Sequence, residues 1–195
     1  MKFFLFYTAV LPILVSCTNN PRTAGTVSKQ DSVVVKQSFF PVTSYIRGQL
    51  YEMKKMGINP LKYTITGNHT DSVWLKIEDI DEAVKEFLTP EIDSANLVDL
   101  FTEKNFLDQT IGAFTFTYDP IAKLPDTLKL RRWDVHIDPG TEKVKRVYLV
   151  KEISKSKTLQ LIWQSNKYCK ITTIITDQNG NSSVEKEEKI TWDLN

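Results

Sequence analysis

The sequence predicts an α+β fold in which two or three short helices pack on one face of an antiparallel β-sheet meander of about six to eight strands. Three observations predict it. Up to about residue 100, apolar residues recur at helical spacing between strong stops such as Pro60 and Pro90. From Glu103 onward they alternate with polar residues in one short segment after another, the pattern of strands with one covered face and one wet face. Hydrophobic residues make up 41% and aromatic residues 11% of the 195-residue chain, enough for a real core in one domain, expected over residues 39–195.

The first element is a helix over residues 41–56. Pro41 suits its first turn, Ile46, Leu50 and Met53 share a face, Lys54 and Lys55 complement its carboxyl end, and Gly57 can cap it. A hairpin follows. Tyr63 and Ile65 alternate before a Gly67-Asn68 turn, and Val73, Leu75 and Ile77 alternate after it. IEDIDEAVKEFLTP reads as a second helix, with Ile80, Val84, Phe87 and Leu88 on one face and Pro90 closing it. SANLVDLF reads as a third, short one.

The remainder is strand. GAFTFTYDP places Phe114 and Phe116 together, and LKLRRWDVHIDP places Trp133, Val135 and Ile137 on one face and Arg132, Asp134 and His136 on the other. VKRVYLVKEI returns from the DPGTEK turn. LQLIWQS, YCKITTIIT and VEKEEKITWDL complete the meander, and the helices are the natural cover for its apolar face.

Ahead of the domain, Lys2 precedes an apolar run from Phe3 to Val15. It is short of the roughly 20 residues a spanning helix needs, and its layout is that of a secretory signal over residues 1–16. Leu14, Val15, Ser16 and Cys17 resemble the lipobox of bacterial lipoproteins. The resemblance implies removal of the leader and acylation of Cys17, with palmitate-type chains, as the membrane anchor. Several chains on one residue hold a protein stably where one holds it marginally. Residues 17–38 then form the lipidated cysteine and a flexible tether. With Cys17 committed to lipid, Cys169 is expected to be a buried free thiol in a strand and not a nucleophile.

Charge excludes several classes. Lys and Arg number 25 against 24 Asp and Glu, and loss of Lys2 leaves formal neutrality, so neither nucleic acid nor an anionic surface is an expected partner. No metal is expected either. Glu78, Asp79, Asp81 and Glu82 are explained by a helix amino terminus, and His69 and His136 are read as solvated or structural. No phosphate loop, serine elbow or zinc-binding helix motif occurs. The chain is therefore expected to be no enzyme and to carry no cofactor.

Candidate binding residues are Arg132, Trp133 and Arg146, which with Arg131 and Lys145 could make a cationic face beside an aromatic ring for a carboxylate or phosphate; cross-strand pairing with Asp134, Glu142 and Glu152 accounts for the same charges. Asp-Ser/Thr-apolar tripeptides resemble the O-glycosylation sites of exported Bacteroidota proteins, and exposed turns favour Ser72 and Thr127. FFPVTSYIRGQL, RRWDVHIDPGTEKVKRVYLVKE and LQLIWQSNKYCKI resemble small lipoproteins of the same phylum. That resemblance implies location and lineage, a lipid-anchored protein of the cell envelope, expected at the outer membrane; Thr18, Asn19 and Asn20 lack the acidic run associated with surface export in that phylum, so it is expected to face the periplasm. The expected role is non-enzymatic interaction or assembly with an envelope protein partner. The alternative is a periplasmic binder of a lipid, sugar or peptide, enclosed near Trp133, Trp163, Tyr148 and Phe116.

Overall fold

The computed structural model describes residues 38–192; the expected leader, Cys17 and all of the tether but its last residue lie outside them. The first element is α1, Val42–Lys55, with Val42, Ile46, Leu50 and Met53 buried along one stripe. Its end is a Schellman turn. Gly57, at φ 66°, donates its N–H to Lys54 O at 3.1 Å, and Ile58 donates to Met53 O at 3.3 Å.

The hairpin is β1, Leu61–Thr66, and β2, His69–Trp74, joined by a two-residue turn whose first residue, Gly67, has the positive φ that primed turns require. The second strand is shorter than the alternation predicts, because Ile77–Asp79 turns into a 3-10 segment. After it come α2, Ile80–Ala83, and α3, Lys85–Leu88, broken apart at Val84. Then the chain runs through β3, Phe101–Asp108, β4, Ala113–Pro120, β5, Leu130–Ile137, β6, Val144–Ser154, β7, Lys157–Gln164, β8, Tyr168–Thr176, and β9, Ser182–Thr191.

The predicted fold class is corrected here. Among the described residues nine strands form one antiparallel sheet in the order β2-β1-β9-β8-β7-β6-β5-β4-β3, and helix is a minor component, so the protein is mostly β and not α+β with six to eight strands. Two local causes account for the difference. SANLVDLF is no helix: the Asp93 carboxylate accepts from Ala95 N and Asn96 N, both at 2.7 Å, which offers the backbone a turn in place of a helical ladder. Residues 101–108, for which no separate strand is predicted, form its edge strand β3, paired along its length with β4.

Opposed residues in an antiparallel pair share a face, so register divides the sheet. One face carries Tyr118, Trp133, Val135, Leu149, Leu161, Trp163, Cys169 and Ile190, all packed with the α1 stripe, Ile80, Val84 and Phe87 in one core. Trp133 stacks on Tyr118 at 4.5 Å and 8°, with Phe101 edge-on at 4.7 Å. Trp163 meets Phe87 at 5.4 Å and Trp192 at 5.1 Å. Fully buried aromatic rings at these spacings leave this side of the sheet filled. The opposite face, called open below, is where polar chemistry is displayed.

Candidate functional site

The three residues expected to form a binding face do not come together. Trp133 points into the core and is completely buried, because alternation along β5 sends it to the covered side. Arg132 lies on the open face but is occupied: its guanidinium holds Asp134 Oδ1 at 3.2 Å and reaches Asp119 at 3.8 Å. Arg146 alone belongs to a concave site.

That site grows from an irregularity in the β5–β6 ladder. His136 pairs with Arg146, but the next step pairs Ile137 with Val144, leaving Lys145 as the extra residue of a β-bulge. A regular strand would send Lys145 and Arg146 to opposite faces; a bulge re-aims one of them. Both side chains consequently line one well of about 280 Å³, together with His136, Gln164 on β7 and Ile111 from the β3–β4 connection. Lys145 Nζ donates to Ile111 O at 2.9 Å, fixing that connection against the sheet.

Of the two roles expected for His136, solvated or structural, its burial fits the second. Its Nε2 lies 3.3 Å from Arg146 Nη2 and its Nδ1 lies 3.0 Å from Thr115 Oγ1. A guanidinium can only donate, so Nε2 must accept and the ring proton sits on Nδ1, donating to Thr115. Burial, reinforced by the Arg146 charge, pushes the imidazole below its ordinary range; the carboxylates of Asp134 and Asp108 oppose this without overcoming it. The ring is neutral at pH 7, with both nitrogens engaged.

Other predicted positions are plainly placed. Ser72 is exposed but sits in edge strand β2, not in a turn, and Thr127 is exposed in the connection between β4 and β5. His69 begins β2 and is exposed. In the acidic cluster, Asp81 pairs with Lys54 and Glu82 with Lys85. Among the described residues no group of three or more metal-ligating side chains converges. Cys169 is buried as expected, and burial raises its thiol far above the usual range.

Sequence reasoning places Lys145 beside Arg146 on one cationic face but misses Gln164, Ile111 and the part played by His136. The signal that could have found His136 is cross-strand: Thr115 and Thr117 alternate with Phe114 and Phe116, so β4 offers β5 a hydroxyl-bearing face. Comparison with protein-family models, with curated proteins and with solved structures finds no match to this chain.

Proposed function

We propose that this protein is a lipid-anchored component of the cell envelope, held at the outer membrane through Cys17 and facing the periplasm, and that it acts by non-covalent contact with an envelope protein and not by catalysis. The observation that carries this reading is the state of the two sheet edges. Edge strand β2 exposes Val73 at 53% and Trp74 at 68%, and edge strand β3 exposes Phe106 at 51% and Leu107 at 49%. Unpaired strand edges bearing large apolar side chains favour association, and aromatic residues are enriched where proteins meet.

Two further points support the non-enzymatic side. The buried His136 imidazole has no free nitrogen to serve as a base, because Arg146 and Thr115 occupy both. The alternative of an enclosed ligand near Trp133 and Trp163 loses its basis, since both rings are fully buried in a packed core.

The test uses the full chain in its native envelope, with a photo-crosslinking residue at position 74, at position 106 or, as a control, at exposed Lys123. Discrete adducts with one envelope protein from the edge positions and not from the control are expected, together with acyl labelling that Cys17→Ala abolishes. Absence of edge-specific adducts would remove the contact reading, and a processed but unlipidated wild type would remove the anchor.

A further inference from the structure

We propose that the bulge-built well on the open face binds a small organic carboxylate, clamped by Arg146. This does not rest on the edge-contact reading, and the two can fail separately. The argument begins with charge. Elsewhere on this sheet lysines are matched to carboxylates: Lys62 to Glu188 at 2.7 Å and Lys170 to Glu187 at 3.0 Å on the adjoining strand, and Lys157 of β7 to Glu185 of β9, across β8, at 3.1 Å. Arg146 is half-buried, yet among the described residues its recorded partner is a neutral imidazole. The carboxylates nearest to that imidazole are already spoken for. Asp134 is held by Arg132, and Asp108 accepts from Thr110 N at 2.9 Å. Lys145 adds a second positive charge and spends its hydrogen bond on a backbone carbonyl. A half-buried guanidinium and an ammonium on one concavity, without a paired anion, are a binding site for one.

The class of anion follows from what the well offers. The guanidinium is a planar fork that matches a carboxylate in two parallel hydrogen bonds. His136 fixes its orientation by accepting from Nη2, and Thr115 fixes His136 in turn, so the imidazole is a positioning residue whose neutrality adds no charge. The Lys145 ammonium is already tied to Ile111 and contributes field more than a free donor. With Asp108 close enough to act on His136, the well suits a monoanion better than a dianion. Gln164 supplies a neutral polar group and Ile111 an apolar wall for the body of the ligand. At about 280 Å³ the space is just below the usual lower bound of roughly 300 Å³ for small-molecule sites, which restricts the ligand to a compact molecule.

The test is titration of the ¹⁵N-labelled full chain with benzoate, acetate and inorganic phosphate at constant ionic strength. Benzoate is expected to give saturable shifts confined to the amides of Ile111, His136, Lys145, Arg146 and Gln164, with acetate weaker and phosphate weaker still. Arg146→Gln should weaken benzoate binding at least tenfold. Arg146→Lys, which keeps the charge and loses the fork, should weaken it nearly as much, and Lys145→Gln on the exposed bulge should weaken it severalfold. No saturable binding, or wild-type affinity in Arg146→Gln, overturns the site. Wild-type affinity in Arg146→Lys, or phosphate binding tighter than benzoate, overturns the carboxylate assignment.

Discussion

The ion pair between Lys151 and Glu86 offers a sharp test of how the covered face is held, because its two ends sit in unlike surroundings. Lys151 Nζ lies 2.6 Å from the Glu86 carboxylate; the lysine side chain is 4% exposed and the glutamate 34%. Lys151 stands between Leu130 and Leu159 on the flanking strands, and Glu86 projects from α3. Removing one partner of a fully buried pair costs about 3–5 kcal/mol, because the remaining charge is stranded. Glu86→Ala strands the buried ammonium. A groove of about 360 Å³ beside the pair admits water and reduces the cost, which we place at about 2–3 kcal/mol. Lys151→Met keeps the apolar stem among its leucine neighbours and leaves a carboxylate that can hydrate, so its cost should be about 0–1 kcal/mol.

The double variant should lie within about 1 kcal/mol of wild type, giving a coupling of about 2–3 kcal/mol. Urea unfolding monitored by tryptophan fluorescence reads these differences directly. With a slope near 2 kcal/mol per molar, the midpoint should fall by about 1–1.5 M for Glu86→Ala and by less than about 0.5 M for Lys151→Met. The asymmetry is the prediction. A Lys151→Met midpoint as low as that of Glu86→Ala, or a double variant less stable than Glu86→Ala alone, would refute it.

Two other outcomes are expected. His136 is held neutral in the fold by burial and the Arg146 charge, so its folded pKa lies below its unfolded value of about 6.5. Stability should therefore be full above about pH 6.5 and decline as pH falls from there toward the folded value. Carboxylates held low by backbone or side-chain donors, such as Asp93 and Asp138, lose their contribution only below about pH 4. His136→Gln should flatten the first decline and leave the second; unchanged pH dependence of the urea midpoint would count against the assignment. Cys169 is 1% exposed and its thiol is raised by burial, so a thiol reagent should modify it only at the rate of unfolding; rapid labelling of native protein would contradict this placement.

Legibility in the sequence tracked how local each cause is. Helix α1 was readable because its stripe, its terminal lysines and Gly57 all lie within one short stretch. The face division of β5 was readable from alternation alone: Trp133, Val135 and Ile137 fall on the covered side, Arg132, Asp134 and His136 on the other. Edge strand β3 was not. Its residues after Phe101 are mostly exposed or half-exposed on both faces, so no period-two contrast marks them, and Glu103, Lys104 and Asp108 dilute what remains. The broken helix near Val84 and the lost helix at SANLVDLF reflect side-chain and tertiary competition that outweighs weak intrinsic propensity. The difference between the expected and the observed fold class arises in these segments and not in strands β4 to β9.

The candidate site was harder to read for one physical reason. Alternation is a rule about regular ladders, and it assigns adjacent Lys145 and Arg146 to opposite faces; the bulge between His136 and Ile137 suspends the rule where the two cations meet. A neutral, doubly hydrogen-bonded imidazole at their base is equally invisible in one strand, since its partners come from β4 and β6. The same irregularity separates the roles of the two faces. On the covered side, close packing around Trp133 and Trp163 leaves no room for a guest between those rings; on the open side, one extra residue turns a mostly charge-matched sheet into a concavity with uncompensated positive charge. A variant that deletes Lys145 would restore regular pairing, return Arg146 to a flat ladder and abolish the well while leaving the tryptophan core intact. Carboxylate binding should then be lost with little change in the urea slope, whereas binding that survives the deletion would show that the bulge is incidental to it.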